Sequence, residues 1–291
     1  GTNDYLTVDV TGNVGIGTTS PATALDVVGS VTYSGDLVST TLGTNNFVAG
    51  STAGDSIIAG GNYNTLVGDN AGTAVTTGDY NTALGYQAGR AVTTGVRNTF
   101  IGGAAGDALT TGDDNTAVGS FSLSADTLGN RSTAIGHNAL VVQNFTSSTS
   151  VYNTAVGYAA GAAVTTGTNN TFIGGLSGTA NTSATANTAV GFNSLNDNLT
   201  GTQNAAFGAY ALDANISANF STAIGYASLG ASTGSENTAL GNIAGSTVTT
   251  GRNLTLVGYN AQPSAVDTTH EVTLGNSSVA TFRCQVALTI L

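Results

Sequence analysis

One short pattern of apolar and polar residues recurs along most of this chain. It is clearest in residues 81–97, which read NTALGYQAGRAVTTGVR. Aligning the core of this unit places one glycine in each of thirteen repeats: Gly68, Gly85, Gly102, Gly119, Gly136, Gly157, Gly174, Gly191, Gly208, Gly225, Gly241, Gly258 and Gly275. Ten of the twelve intervals between these repeat glycines are 17 residues, one is 21 and one is 16. A fixed short period is typical of solenoids, in which each turn buries its apolar residues against neighbouring turns.

Two consecutive positions in each repeat are apolar. The residue immediately before the repeat glycine is apolar in all thirteen repeats, and the residue before that is apolar in twelve, mostly as alanine. Because neighbouring residues on a strand point to opposite faces, this predicts a strand that is buried on both faces. We expect the residue next to the glycine to point inward, against pairs such as Ala74 and Val75 on a return strand, and the alanine-rich position to point outward. Seventeen residues allow two strands of about five residues in each turn.

An outward apolar position that recurs on every turn predicts assembly. Soluble chains rarely expose a long apolar stripe, and closed cyclic symmetry is the usual way to cover identical stripes. The expected fold is therefore an all-β β-solenoid, or β-roll, of about thirteen 17-residue rungs in a parallel homotrimeric rod.

Small and polar residues also recur at fixed positions. The third residue after each repeat glycine is alanine or serine, and the fourth is usually glycine or leucine. Asparagine stands four places before the repeat glycine in nine repeats. We expect the repeat glycine to adopt a positive φ or a bend that a Cβ would block, and the asparagines to hydrogen-bond from rung to rung.

Composition narrows the possible functions. The net charge is −11, only 7% of residues are charged, and all five basic residues are arginine. This balance argues against nucleic acid and against docking on anionic membranes, since both need basic residues. No apolar run reaches 18 residues, so no membrane insertion is expected. The single cysteine, Cys284, leaves no intrachain disulfide.

No group of residues forms a recognisable active site. His137 and His270 are isolated and lack metal-ligand spacing, so neither a metal nor another cofactor is expected. A glycosidase needs a carboxylate pair, and Asp126, Asp197 and Asp213 are possible members that nothing in the sequence pairs. The expected function is non-enzymatic.

The 21-residue interval contains a four-residue insertion. Insertions in solenoids emerge as loops, often on the binding face. Asn144, Phe145 and Tyr152 lie in or beside this one, and we take them as candidate contacts with a receptor glycan. A surface bulge without function is the competing interpretation.

The chain divides into three expected segments. Residues 1–45 form an N-terminal β segment that links to an upstream part of a fibre, residues 46–262 form the solenoid, and residues 263–291 hold the last rung and a C-terminal strand.

Three segments resemble known families. Residues 153–161, NTAVGYAAG, resemble the head repeats of trimeric autotransporter adhesins, which form a trimeric β-roll. Residues 12–21, GNVGIGTTSP, resemble segments common in bacteriophage tail fibres. Residues 272–278, VTLGNSS, and 283–286, RCQV, are similar to fibres just upstream of a C-terminal intramolecular chaperone that cuts itself off after assembling the trimer. The resemblance implies that Leu291 is the processed C-terminus.

The expected function is that of a receptor-binding fibre on the virion tail, outside the cell. Its expected partners are two further copies of itself, other tail proteins, the cleaved chaperone, and a host cell-surface polysaccharide or protein receptor. Three alternatives stay open: a bacterial trimeric surface adhesin, an ice-binding solenoid and a depolymerising tail spike.

Overall fold

The computed structural model describes residues 6–18, 20–28 and 42–281. The chain forms two compact units, residues 1–38 and 39–291. The first contains strands β1 (Leu6–Val8), β2 (Val14–Ile16) and β3 (Leu25–Val27), with β1 antiparallel and β3 parallel to β2. The candidate terminus Leu291 lies outside the described residues, as does Cys284.

The second unit is a parallel β-solenoid, which confirms the expected fold class. Its strands are β4 (Phe47–Ala49), β5 (Thr65–Val67), β6 (Thr82–Leu84), β7 (Thr99–Ile101), β8 (Thr116–Val118), β9 (Gly129–Asn130), β10 (Thr133–Ile135), β11 (Thr149–Ser150), β12 (Thr154–Val156), β13 (Thr171–Ile173), β14 (Thr188–Val190), β15 (Ala205–Phe207), β16 (Thr222–Ile224), β17 (Thr238–Leu240), β18 (Thr255–Val257) and β19 (Val272–Leu274). All except β9 and β11 form one 14-stranded sheet, with each strand paired to the next turn in register. β9 and β11 form a separate parallel pair. No helix occurs in the described part of the chain.

Most turns contain one three-residue strand, so the expectation of two five-residue strands was wrong. The strand is short because left-handed residues lie close to both of its ends. In the turn of Gly85, for example, Tyr80 has φ 59° and Gln87 has φ 57°. A left-handed residue cannot continue an extended strand. Apart from the short pair β9 and β11, the rest of the described turns is therefore built from turns and bends, without a second strand in each turn.

The two apolar columns also face the opposite way from the expectation. The alanine-rich residue, two places before the repeat glycine, is the middle residue of the strand and points inward. Ala83, Phe100 and Ala117 are at most 1% exposed. The residue next to the glycine points outward, and Leu84 and Leu240 are each 47% exposed. The interior is narrow because the residues at the third, fourth and seventh places after the glycine fill it from the other side, so most turns admit only alanine.

Large and small side chains complement each other across this interior. A large residue on one side faces small residues on the other. The fourth residue after each repeat glycine lies between the inward-facing strand residue of its own turn and that of the next. A Cβ on Gly89 would lie 2.7 Å from Phe100 Cδ2, and a Cβ on Gly106 would meet the other edge of the same ring. Where both neighbouring inward residues are alanine, the position holds leucine instead: Leu123, Leu140, Leu195, Leu212 and Leu229. One large side chain is thus placed at each level, on one side or the other.

This size match predicts that leucines beside the cavity can restore stability lost by truncating Phe100. Phe100→Ala should lower the free energy of unfolding by about 3–5 kcal/mol, because it leaves a cavity between Gly89 and Gly106. Adding Gly89→Leu and Gly106→Leu should recover a large part of the loss, since Leu123 already adopts φ 52° at this position. The measurement is the urea midpoint of each variant.

The matched control is Gly89→Leu with Phe100 retained. It should be destabilised by about 1–3 kcal/mol through overpacking. Equal destabilisation by Gly89→Leu in the wild type and in the Phe100→Ala background would contradict the size match.

Asparagines link most turns to the next, as the sequence indicated. The Asn64 side chain, for example, donates from Nδ2 to the Gly78 carbonyl at 2.8 Å and accepts from the Asn81 backbone N–H at 2.9 Å. The same two bonds are made by Asn46, Asn81, Asn98, Asn115, Asn153, Asn170, Asn187, Asn204 and Asn237. All ten are buried, so each side chain satisfies backbone groups that water does not reach.

The repeat glycines stack directly on one another. Gly85 has φ +137°, and a Cβ there would lie 2.6 Å from the Gly102 carbonyl oxygen. The expectation of a backbone position closed to other residues is therefore confirmed.

Candidate functional site

The outer face of the 14-stranded sheet is the most regular surface of the solenoid. Because the middle residue of each strand points inward, the first and third residues point outward. Twelve of the third residues are aliphatic and one is Phe207, and we call the thirteen together the outer aliphatic column: Val67, Leu84, Ile101, Val118, Ile135, Val156, Ile173, Val190, Phe207, Ile224, Leu240, Val257 and Leu274. Leu84, Ile173 and Phe207 are 47%, 39% and 41% exposed. The face therefore leaves large apolar side chains in contact with solvent on a single chain.

A column of threonines runs beside the aliphatic one. The first residue of each strand is threonine in eight consecutive turns from Thr65 to Thr188, and these threonines pair with one another in register. Neither column contains a charged residue. The face is thus uncharged over its whole length.

The size of this face is that of a protein interface. Thirteen rungs at about 4.8 Å give a length of about 60 Å. With a width of about 10–13 Å for two columns of side chains, the area is roughly 600–800 Å², close to the ~800 Å² that each partner contributes to a standard interface. About half of this area, roughly 300–400 Å², belongs to the outer aliphatic column, and monomers rarely expose contiguous apolar patches larger than a few hundred Å².

Two flanks border the face. The leading flank consists of the residues five places before each repeat glycine: Tyr63, Tyr80, Arg97, Asp114, Arg131, Tyr152, Asn169, Ala186, Gln203, Phe220, Glu236, Asn253 and His270. The trailing flank consists of the residues just after each repeat glycine: Asp69, Tyr86, Gly103, Ser120, His137, Tyr158, Gly175, Phe192, Ala209, Tyr226, Asn242, Tyr259 and Asn276.

Charges on the leading flank form a short chain of ion pairs. Arg97 Nε lies 2.6 Å from Asp114 Oδ1, and Arg131 Nε lies 3.9 Å from Asp114 Oδ2. The hydrogen bond from Arg97 holds the pKa of Asp114 below its usual value. These groups are substantially exposed, so the pairs contribute little stability.

The inserted turn places two of the three candidate residues on the surface. Asn144 is exposed and accepts a hydrogen bond from Thr127 Oγ1 at 3.0 Å. Tyr152 is 53% exposed, and the guanidinium of Arg131 lies 5.7 Å from its ring centroid. The two residues lie on different sides of the turn, because Tyr152 belongs to the leading flank and Asn144 does not.

Phe145 does not offer an exposed ring, and that expectation was wrong. The residue is only 7% exposed. Its backbone is held from both sides, since its N–H donates to Asp126 Oδ1 at 3.1 Å and its carbonyl accepts from the Leu128 N–H at 3.1 Å. The chain at Phe145 therefore still follows the turn beneath it, and the ring packs inward before the loop leaves the surface.

A buried polar cluster supports the inserted turn. The carboxylate of Asp126 accepts hydrogen bonds from the Gly129 N–H at 3.0 Å, the Phe145 N–H at 3.1 Å and Gln143 Nε2 at 2.6 Å. Gln143 also donates to Ser132 Oγ and accepts from Asn153 Nδ2. Ser132 stands at the position that holds a buried asparagine in most turns. Gln143 thus supplies a side-chain amide at the place where Ser132 has none. No pattern in the sequence marks Asp126 as a core residue.

Burial makes the stability of this cluster depend on pH. Desolvation raises the pKa of the Asp126 carboxyl, and the hydrogen bonds from Gln143, Phe145 and Gly129 only partly oppose it. The folded chain therefore holds this proton at higher pH than the unfolded chain. The contribution of Asp126 to stability is greatest below the ordinary carboxyl pKa of about 4 and is lost as pH rises through the raised pKa of the folded state.

Asp126→Asn should remove this dependence. The melting temperature of the wild type relative to the variant should fall between pH 4 and pH 7, because only the wild type must bury a charge at neutral pH. Asp55→Asn, at an exposed carboxyl, is the matched control and should run parallel to the wild type. Parallel curves for Asp126→Asn and wild type would contradict the assignment.

The other candidate residues are only partly brought together. Asp197 and Asp213 lie on adjacent turns, joined by a bond from the Asp197 N–H to the Asp213 carbonyl. Partial burial and the neighbouring Asp197 charge raise the pKa of Asp213. Asp126 belongs instead to the buried cluster. His137 stacks on Tyr158, with ring centroids 5.7 Å apart.

Among the described residues no group of His, Cys, Asp or Glu is arranged to hold a metal ion, and no helix could cross a membrane. Comparison of the chain with known protein families, curated proteins and solved structures gave no match.

Proposed function

We propose that this chain is the protomer of a parallel homotrimeric fibre on a bacteriophage tail, which attaches to a host cell-surface polysaccharide or protein without catalysis. The outer aliphatic column carries the proposal. It runs along the whole sheet, lacks charge and is half-exposed on a single chain. Soluble monomers rarely leave such a continuous apolar stripe uncovered.

A second copy is the occupant that best fits this face. The column repeats at the spacing of the rungs, so another copy aligned in parallel presents apolar residues at every level. Cyclic symmetry about the rod axis covers identical faces and leaves none over. Three copies suit an elongated rod, since three flat faces close around one axis.

The tail-fibre assignment rests on the resemblance of residues 12–21 and 272–286 to fibres of this kind. It implies an extracellular location on the virion and contacts with other tail proteins and with a chaperone that is removed. A bacterial trimeric adhesin shares the repeat and is the nearest alternative. Asp197 and Asp213, which lie on adjacent turns, favour a depolymerising tail spike as a second alternative.

Sedimentation tests the assembly. The wild type should have a native mass three times the 28.5 kDa of one chain. Ile173→Lys should lower this mass, because it places a charge in the covered face. Thr166→Lys, at an exposed residue outside the face, is the matched control and should leave the mass unchanged.

A folded wild-type chain that sediments at 28.5 kDa would overturn the assembly. If that single chain also showed thermal-hysteresis activity, the threonine column would favour the ice-binding alternative.

Adhesion to bacterial cells tests the attachment. The fibre should bind cells of its host, and soluble polysaccharide from those cells should compete. Asn144→Ala should weaken binding several-fold if the inserted turn contacts the receptor. Thr165→Ala, at the equivalent exposed place one turn later, should not.

Shortening of the polysaccharide on incubation would show catalysis instead. Loss of that shortening in Asp213→Asn would assign it to the paired carboxylates.

A further inference from the structure

Aromatic residues occur on both flanks of the sheet face at the same turns. Tyr80 and Tyr86 border one strand, and each is 56% exposed. The same coincidence recurs at Tyr152 with Tyr158 and at Phe220 with Tyr226, all between 52% and 60% exposed. Three of the four aromatic residues on the leading flank thus have an aromatic residue opposite them on the trailing flank.

Within one chain the described aromatic rings make no ring contact across the face. Each ring contact among the described residues joins rings on one side of the face. Tyr63 stacks on Tyr80 along the leading flank at 4.8 Å, and His137 stacks on Tyr158 along the trailing flank at 5.7 Å. The remaining pairs join Phe121 to His137, Phe192 to Tyr210 and Tyr210 to Tyr226 on the trailing side. Ring contacts within a single chain therefore do not explain why aromatic residues occur on both flanks at the same turns.

A cyclic assembly of identical copies would explain why the aromatic residues match. When identical faces surround an axis parallel to the rod, the leading flank of each copy meets the trailing flank of the next copy. Residues that flank the same strand then lie opposite each other across the seam. The proposed trimer would bring Tyr80 of one copy to Tyr86 of the next, at every seam.

Sizes and charges along the flanks fit this arrangement. Arg97 would lie opposite Gly103, and a Cβ on Gly103 would meet only Ser120 Oγ, at 3.8 Å. Neither the backbone nor packing within the chain requires this glycine, whereas the long arginine of a neighbour would use the space. Ala186 would lie opposite the larger Phe192. No level places two Asp, Glu or Arg side chains of like charge opposite each other.

A slip of the copies by one turn reduces the three pairs of Phe or Tyr to one, Tyr63 with Tyr86, in one direction and to none in the other. One direction of slip places Tyr80 opposite Gly103 and Tyr152 opposite Gly175. The other direction places Tyr80 opposite Asp69. Aromatic pairs are favourable beyond the area that they bury, by about 0.5–1.5 kcal/mol each. The pairing thus selects one register among otherwise similar turns.

We propose that neighbouring copies meet flank to flank in register, with the leading-flank aromatics of one copy packed on the trailing-flank aromatics of the next. This inference rests on the proposed parallel assembly and names its contacts. It assigns Tyr152 to the seam between copies and leaves Asn144 as the exposed receptor candidate.

Crosslinking tests the seam. In a Cys284→Ser background, Tyr80→Cys with Tyr86→Cys should give a covalent trimer on a denaturing gel after treatment with a short bismaleimide that spans about 8 Å. The matched control, Tyr80→Cys with Tyr158→Cys, should not, because the two positions lie four turns or about 19 Å apart along the rod. Phe220→Cys with Tyr226→Cys provides a second pair if the first fails to fold.

Single-cysteine variants test the direction of the copies. Tyr152→Cys alone should give no product, since identical residues do not meet in a parallel cyclic assembly. A covalent dimer from Tyr152→Cys alone would show an antiparallel pair and overturn the inference.

Sedimentation of the same variants separates the two proposals. A native trimer that yields no covalent product from either matched pair would overturn the flank pairing and leave the fibre standing. A single-chain mass would overturn both.

Discussion

Close stacking of the backbone from turn to turn is the constraint on which the rest of this solenoid depends. At the repeat glycines one turn rests on the carbonyl of the next, with no room for a Cβ at Gly85. The buried asparagines join the same turns by two hydrogen bonds each, as Asn64 does to Gly78 and Asn81. Since both devices act only between neighbouring turns, stability grows by the addition of turns.

The narrow interior that follows from this stacking explains the surface. Each level accepts about one large side chain, as the exchange between Phe100 and leucines such as Leu123 shows. A strand with apolar residues at two consecutive positions can bury only one of them inside. The second must face outward, where a branched aliphatic column remains half-exposed. A core too small for its own apolar residues is thus the physical reason to expect partners on the sheet face.

The sequence alone predicted the period, the fold class, the closed glycine positions and the asparagine links, because each of these leaves a periodic mark. It did not predict which apolar column points inward, since alternation shows that neighbours face opposite ways but not which way. It also missed the left-handed residues beside each strand. Those positions hold residues as different as Tyr80, Gln87 and Arg97, so no residue type marks them.

The inserted turn was the harder part of the candidate site. Insertion spacing correctly located a surface loop, and Asn144 is exposed there. The burial of Phe145 depends on backbone bonds to Asp126 and Leu128, which a single sequence does not reveal. Asp126 itself resembled a surface carboxylate, because its partner Gln143 lies 17 residues away on the next turn.

Turns that depart from the repeat also help to fix which turns pair with each other in this uniform chain. Turns that are nearly identical can pair with the wrong neighbour, because a slip by one turn preserves most glycine and asparagine contacts. Phe100 and Phe172 resist such a slip, since each needs a glycine on both sides of its ring. The Asp126 cluster resists it more strongly, because a slipped pairing would leave a buried carboxylate without its donors. The destabilising burial of Asp126 at neutral pH is therefore consistent with a gain in the uniqueness of the register.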